Sequence, residues 1–135
     1  MFETTLTPRV AETDGAGHIN NTVLPVWFEA GRRGIFRILT PDLSFARWRA
    51  TVVRLEIDYH AQIYLTEEVT IRTWIAHLGT KSFTVAEEAW QGERHCASGK
   101  AVYVYFNIAK QRSEPIPDDV RSALSAHLSG DQPSA

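Results

Sequence analysis

Apolar and polar positions along this chain follow two periods, and the longer one dominates only a single early segment. Glu3 to Ala11 predicts a first strand, and Pro8 marks it as an edge, because proline has no N–H to give a ladder. Thr13 to Asn21 contains Gly15, Gly17 and two asparagines and predicts a loop. From Thr22 the period becomes helical. Leu24, Trp27, Phe28, Gly31, Ile35, Ile38 and Leu39 recur at offsets of three and four, which predicts one helix over Thr22 to Leu39 with a single apolar stripe. Glu29, Arg32, Arg33 and Arg37 fall off that stripe. Pro25 is tolerated only in a first turn, so the start is pinned near Asn21, with Asn21 or Thr22 as the cap. Thr40-Pro41-Asp42 ends the helix.

After residues 43 to 49, which carry no clear period, the pattern shortens to two. Val52 to Tyr59 sends Val53, Leu55, Ile57 and Tyr59 to one face and Arg54, Glu56 and Asp58 to the other, a half-buried strand. Glu68 to His77, Ser82 to Trp90 and His95 to Ile108 follow as strands. The short turns Leu78–Lys81 and Gln91–Arg94 between them require antiparallel pairing. Pro115 and Pro117 precede a short helix, Asp118 to Leu128, and Ser129 to Ala135 reads as a frayed polar tail. The expected architecture is one α+β domain over residues 1–128, with five antiparallel strands wrapped on one long helix. One helix covers one face of such a sheet. Trp74 and Trp90 on the other face predict oligomerisation.

Composition narrows the function. With 14 Lys+Arg against 16 Asp+Glu the formal charge is -2, which is no electrostatic footprint for nucleic acid. The single Cys96 excludes an internal disulfide, Met1-Phe2-Glu3-Thr4 does not open a signal peptide, and no apolar run approaches the ~20 residues of a membrane span. These features predict a soluble cytoplasmic protein without a membrane partner. His60, His77, His95 and His127 show no metal-ligand spacing, so no metal is expected.

The chemistry-bearing stretch is Asp14-Gly15-Ala16-Gly17-His18-Ile19-Asn20-Asn21. Its carboxylate lies in a loop that feeds a helix N-terminus, where free N–H groups and the helix dipole favour negative charge. Asp before Gly also caps turns, and spacing alone leaves both roles open for Asp14.

That run, followed by Trp27-Phe28-Glu29-Ala30-Gly31-Arg32, resembles the signature of the 4-hydroxybenzoyl-CoA thioesterase family, in which D-x-x-G-H-v-N-N precedes an aromatic-rich helix. Glu56-Ile57-Asp58-Tyr59 and Leu78-Gly79-Thr80-Lys81-Ser82-Phe83 fit as well, and the resemblance covers nearly the whole chain. It implies a hotdog fold, a homodimer or homotetramer with active sites at the subunit interface, and hydrolysis of an acyl-CoA or acyl-carrier thioester without cofactor. Asp14 is then the nucleophile or general base, and N–H groups at the helix start stabilise the oxyanion. His18 either takes a direct part or orients Asp14. Asn20 and Asn21 shape the loop or touch substrate, and Thr51 adds a backbone donor. Thr80, Lys81 and Ser82 hold the CoA phosphates, while Glu29 and Glu56 are alternatives for a second carboxylate. Two rival readings accompany this one: a hydratase or dehydratase using Asp14 and His18 as an acid/base pair, and a non-catalytic acyl-CoA-binding module.

Overall fold

The computed structural model describes residues 1–130. Five strands, β1 (Phe2–Leu6), β2 (Ala50–Tyr59), β3 (Val69–Leu78), β4 (Ser82–Gln91) and β5 (Arg94–Asn107), form an antiparallel sheet in the order β1-β3-β4-β5-β2, and a short β6 (Arg112–Ser113) pairs with the end of β5. Register shifts at Val52/Arg54, Ile75/His77 and Ala89/Trp90 place an extra residue in a strand at each point, and such bulges bend and twist a sheet. The curled sheet wraps the helical segment, which is the hotdog arrangement. The two central turns fall where the pattern put them, at 79–81 and 92–93. β1 is an edge, as Pro8 suggested, but it ends at Leu6, and a 3-10 turn over Val10–Glu12 takes the place of its expected second half.

The helical segment packs its stripe into the curl. Leu24, Trp27 and Phe28 bury against Ile71 and Ala97, while Ile35 and Leu39 bury against Phe83, Val85 and Tyr103. Gly31 sits where a Cβ would lie 2.6 Å from the Ile71 side chain and 2.9 Å from Thr73 Oγ1, so only glycine lets the helix lie this close to β3.

Three expectations about this region change. The single helix Thr22 to Leu39 is instead a 3-10 turn (Asn21–Val23), then α1 (Leu24–Gly31) and α2 (Arg33–Leu39), joined at Arg32, whose φ −86° and ψ 0° leave helical geometry. Arg32, assigned to the polar side, is buried. Its Nε and Nη2 donate to the two Glu87 carboxylate oxygens at 2.7 Å each, and its Nη1 donates to the Tyr103 hydroxyl at 3.0 Å. Position 32 lies four after Phe28 and three before Ile35, hence on the core face, and a charge can occupy that face only because it is fully paired there. Desolvation opposes the Arg32 charge, but the hydrogen bonds and charge of Glu87 raise its pKa above the ordinary range. Burial pushes Glu87 the other way, toward its neutral form. The two tendencies conflict, and the bidentate 2.7 Å geometry decides for a charged pair. The third change is Trp74, expected on an open face but only 2 % exposed within one chain.

β2 departs from its half-buried expectation in the opposite sense. It is an edge strand, paired only with β5, and Val53 is 61 % and Leu55 46 % exposed. The segment without period includes one 3-10 turn, Phe45–Arg47. At the C-terminus α3 (Asp118–Ser125) packs on α2 and β3 and ends before the expected Leu128. Ser129, placed in the frayed tail, donates its N–H to Ile75 O at 2.9 Å, and residues 131–135 lie outside the described residues. No helix among the described residues is long and apolar enough to cross a membrane.

Candidate active site

The loop between β1 and α1 is closed by its own backbone. Thr13 and Ile19 bridge, and Asp14 N–H donates to His18 O at 2.8 Å, leaving 15–17 as the tip. Gly15 and Gly17 have φ of 88° and 84°, a region costly for any residue with a Cβ, so the two glycines are what allow so tight a tip. Asp14 Oδ1 accepts the Ala16 N–H at 2.8 Å, which is the turn-capping role open to an Asp before Gly. The other oxygen, Oδ2, is 3.7 Å from His18 Nδ1. That is an ion-pair distance once the imidazole is protonated and too long for a direct hydrogen bond. Both side chains keep about a third of their surface exposed (Asp14 37 %, His18 33 %). Turn capping therefore uses one carboxylate oxygen and leaves the second for chemistry.

The helix start is fixed by Asn20, not by Asn21 or Thr22. Asn20 Oδ1 accepts from Thr22 N–H and Thr22 Oγ1 at 3.0 Å each, and Val23 N–H donates to Asn20 O at 3.0 Å. The cap sits one residue earlier than expected because a 3-10 turn precedes α1. Two of the N–H groups available to an oxyanion are thus already engaged. The Asn21 carbonyl accepts the Tyr59 hydroxyl at 2.6 Å. A cavity of ≈ 730 Å³ opens here, lined among others by Asp14, Asn20, Asn21, Leu24, Tyr59 and His60.

Glu12 fastens this loop to the helix. Its Oε2 accepts the Trp27 indole N–H at 2.9 Å, its Oε1 accepts Arg9 N–H at 2.8 Å, and its carbonyl accepts Asn20 N–H at 2.8 Å. Desolvation works to raise the carboxyl pKa, but these donors and the Arg9 charge hold it below the usual range. Glu12, Tyr59 and His60 were not picked out as site residues from the sequence. Glu12 lies two residues before the Asp14 that opens the motif and is within reach of such a reading. Tyr59 and His60 depend on how β2 ends, which no local pattern reveals.

The expected site residues divide into two groups. Asp14, His18, Asn20 and Asn21 gather at the Tyr59 end of β2. Thr51, Thr80, Lys81 and Ser82 lie at its other end, where Thr51 and Ser82 both pair with Val104 and Lys81 O accepts the Tyr105 N–H at 2.8 Å. Eight residue steps along an extended strand separate Thr51 from Tyr59, roughly 25 Å. One chain does not bring the two groups together. Glu56 is on β2, exposed and ion-paired with Arg54, and neither it nor Glu29 is among the residues lining the Asp14 cavity.

The model of the thioesterase-like superfamily matches residues 8–124. A predicted thioesterase from Bacillus stearothermophilus is 53 % identical, with a TM-score of 0.94 and 98 % of each chain covered. A thioesterase from Thermus thermophilus, solved with coenzyme A and Zn, is 26 % identical, with a TM-score of 0.83 over 93 % of this chain and 92 % of that one. The uncharacterised protein YsmA of Bacillus subtilis strain 168 is 27 % identical over 118 residues, 86 % of this chain and 80 % of its own.

Proposed function

This chain belongs to the thioesterase-like superfamily, and from that premise we propose that it hydrolyses acyl-CoA thioesters with Asp14 as nucleophile or general base. The observation that carries the reading is the free Asp14 Oδ2 beside His18 at the mouth of a ≈ 730 Å³ cavity. In the general-base form, water adds to the thioester carbon and its proton passes to Asp14. The tetrahedral oxyanion then collapses, the C–S bond breaks and CoA leaves as a thiolate, to which Asp14 returns the proton taken from water, directly or through His18 beside it. The Thermus relative solved with coenzyme A supports CoA as the carrier.

We further propose that the working unit is a homodimer in which β2 pairs with β2 of a second copy. β2 is an edge of ten residues whose Val52, Val53, Leu55 and Tyr59 are exposed, and an open edge of that kind is a template for another strand. Antiparallel pairing about a two-fold axis places the Thr51 end of one copy beside the Tyr59 end of the other. Thr51, Thr80, Lys81 and Ser82 of the second copy then complete the cavity that holds Asp14, with Lys81 toward the CoA phosphates. Hydrolysis without a metal and residence in the cytoplasm are part of the same proposal. A free, buried Cys96 suits a reducing compartment.

A thiol-release assay on short, long and aryl acyl-CoAs, with and without a chelator, tests the reading. Wild type should cleave one class at a rate indifferent to the chelator, and Asp14→Asn should lose at least ~100-fold in kcat. Asn keeps an oxygen for the Ala16 N–H, so the loop is preserved in that variant. Hydration of an enoyl-CoA, or acyl-CoA that binds and survives overnight, would replace hydrolysis by one of the two rival readings.

A further inference from the structure

The segment 62–67 forms the seat of the Asp14–His18 loop. Ile19 N–H donates to Ile63 O at 2.8 Å, His18 and Tyr64 form an antiparallel bridge, and Leu65 N–H reaches Gly17 O at 3.4 Å. The Tyr64 ring also meets the His18 imidazole edge-on, with centroids 5.4 Å apart and planes at 67°. What holds this seat comes from the end of β4. Gln91, the last residue of β4, is 2 % exposed and uses its amide completely. Its Oε1 accepts Tyr64 N–H at 3.0 Å and Arg94 Nη2 at 2.6 Å, and its Nε2 donates to Tyr64 O at 2.8 Å and Glu67 O at 3.0 Å.

We infer that Gln91 is a positioning residue, which fixes the His18 imidazole against Asp14 by clamping the Tyr64 backbone. The amide pairs with both the N–H and the C=O of Tyr64, as a neighbouring strand would, and no other side chain supplies two donors and two acceptors at that length. Glutamate would set a carboxylate against the Tyr64 and Glu67 carbonyls, and leucine would leave buried polar backbone unpaired. Arg94 adds a second hold, stacking over the Tyr64 ring at 5.1 Å while bonding to Gln91. The chain of contacts runs Gln91, Tyr64, His18, Asp14. Each link is either a hydrogen bond or a ring or charge contact, so displacement of Tyr64 moves the imidazole, while Asn21 and Tyr59 on the cavity wall stay joined by their own hydrogen bond.

This inference rests on the proposed role of the Asp14–His18 pair, and its test separates the two. Gln91→Leu and Gln91→Glu are compared with wild type in three measurements: thiol release from the acyl-CoA class that wild type cleaves, the His18 imidazole signals in NMR, and hydrogen exchange at the Ile19 amide. Expected are a kcat lowered about ten- to a hundredfold with KM within about twofold, as small misplacements of reacting groups produce. Displaced or broadened His18 signals and faster Ile19 exchange should accompany it. A folded variant with unchanged kcat, or one whose kcat falls while the His18 signals and Ile19 exchange stay as in wild type, overturns the proposal. So does loss of the fold in both variants, which would make Gln91 a folding residue only. If wild type cleaves no acyl-CoA, the hydrolase reading fails by itself, and the His18 signals and Ile19 exchange still decide whether the clamp exists.

Discussion

The Tyr59 hydroxyl donates to the Asn21 carbonyl at 2.6 Å, tying the last residue of the open edge strand to the first turn before α1. Burial raises the phenol pKa, so the hydroxyl keeps its proton and remains a donor. Tyr59→Phe should therefore destabilise the fold by no more than ~0.5–1.5 kcal/mol, the net worth of one hydrogen bond. Activity should drop further than stability, because the bond positions the helix start beside Asp14. Thermal unfolding and thiol release, measured on one preparation, compare the two losses.

A shared site makes a quantitative prediction about mixtures. Asp14→Asn and Lys81→Glu variants should each be nearly inactive alone. Unfolded together and refolded, half of the dimers are mixed, and each mixed dimer carries one doubly altered site and one intact site. About one quarter of the wild-type sites should then be restored. If the mixture stays as inactive as its parts, Lys81 does not complete the Asp14 site of a second copy.

The Arg32–Glu87 pair separates the cost of an orphaned charge from the worth of the pair. Arg32→Met leaves Glu87 buried and alone and should cost ~3–5 kcal/mol in urea unfolding. The double variant Arg32→Met with Glu87→Leu removes both charges and should recover most of that loss. An additive double variant would mean that the pair matters through shape and not through charge.

Stability should also depend on pH through His127. Its Nδ1 lies 3.3 Å from the Met1 amino group, and Phe2 stacks on the ring at 4.1 Å. Burial, and then the positive terminus, lower the His127 pKa. The unfolded chain takes up this proton near the ordinary histidine value of ~6.5 while the folded chain still resists it. More protons are bound in the unfolded state across that window, so the contribution is complete above it and declines as pH falls through it. The Tm advantage of wild type over His127→Phe should therefore shrink between about pH 7.5 and about pH 5.5. An advantage that holds constant would remove His127 from the pH response.

Strand positions, turn positions and the loop that carries Asp14 were legible in the sequence, because each depends on neighbours in the chain. Alternation, glycine-bearing turns and a proline-marked helix start are local constraints, and β2 to β5 lie close to where those constraints put them. Arg32 was not read correctly. The sequence reading puts it off the apolar stripe, and only the arrival of Glu87 from β4 and Tyr103 from β5 supplies the partners that let its charge lie on the core face. Trp74 and β2 exchanged their expected environments for the same reason. Alternation tells which side chains share a face, and only the sheet order tells which faces and edges are covered.

The site divides along the same line. Asp14, His18 and Asn20 belong to one short run, so the sequence by itself determined that a carboxylate and an imidazole meet at a helix start. That Gln91 holds this pair in place through Tyr64, and that Lys81 lies a strand's length away on the same chain, was decided by tertiary structure. Those relations join segments far apart in the chain, and their geometry is set by how the whole sheet curls.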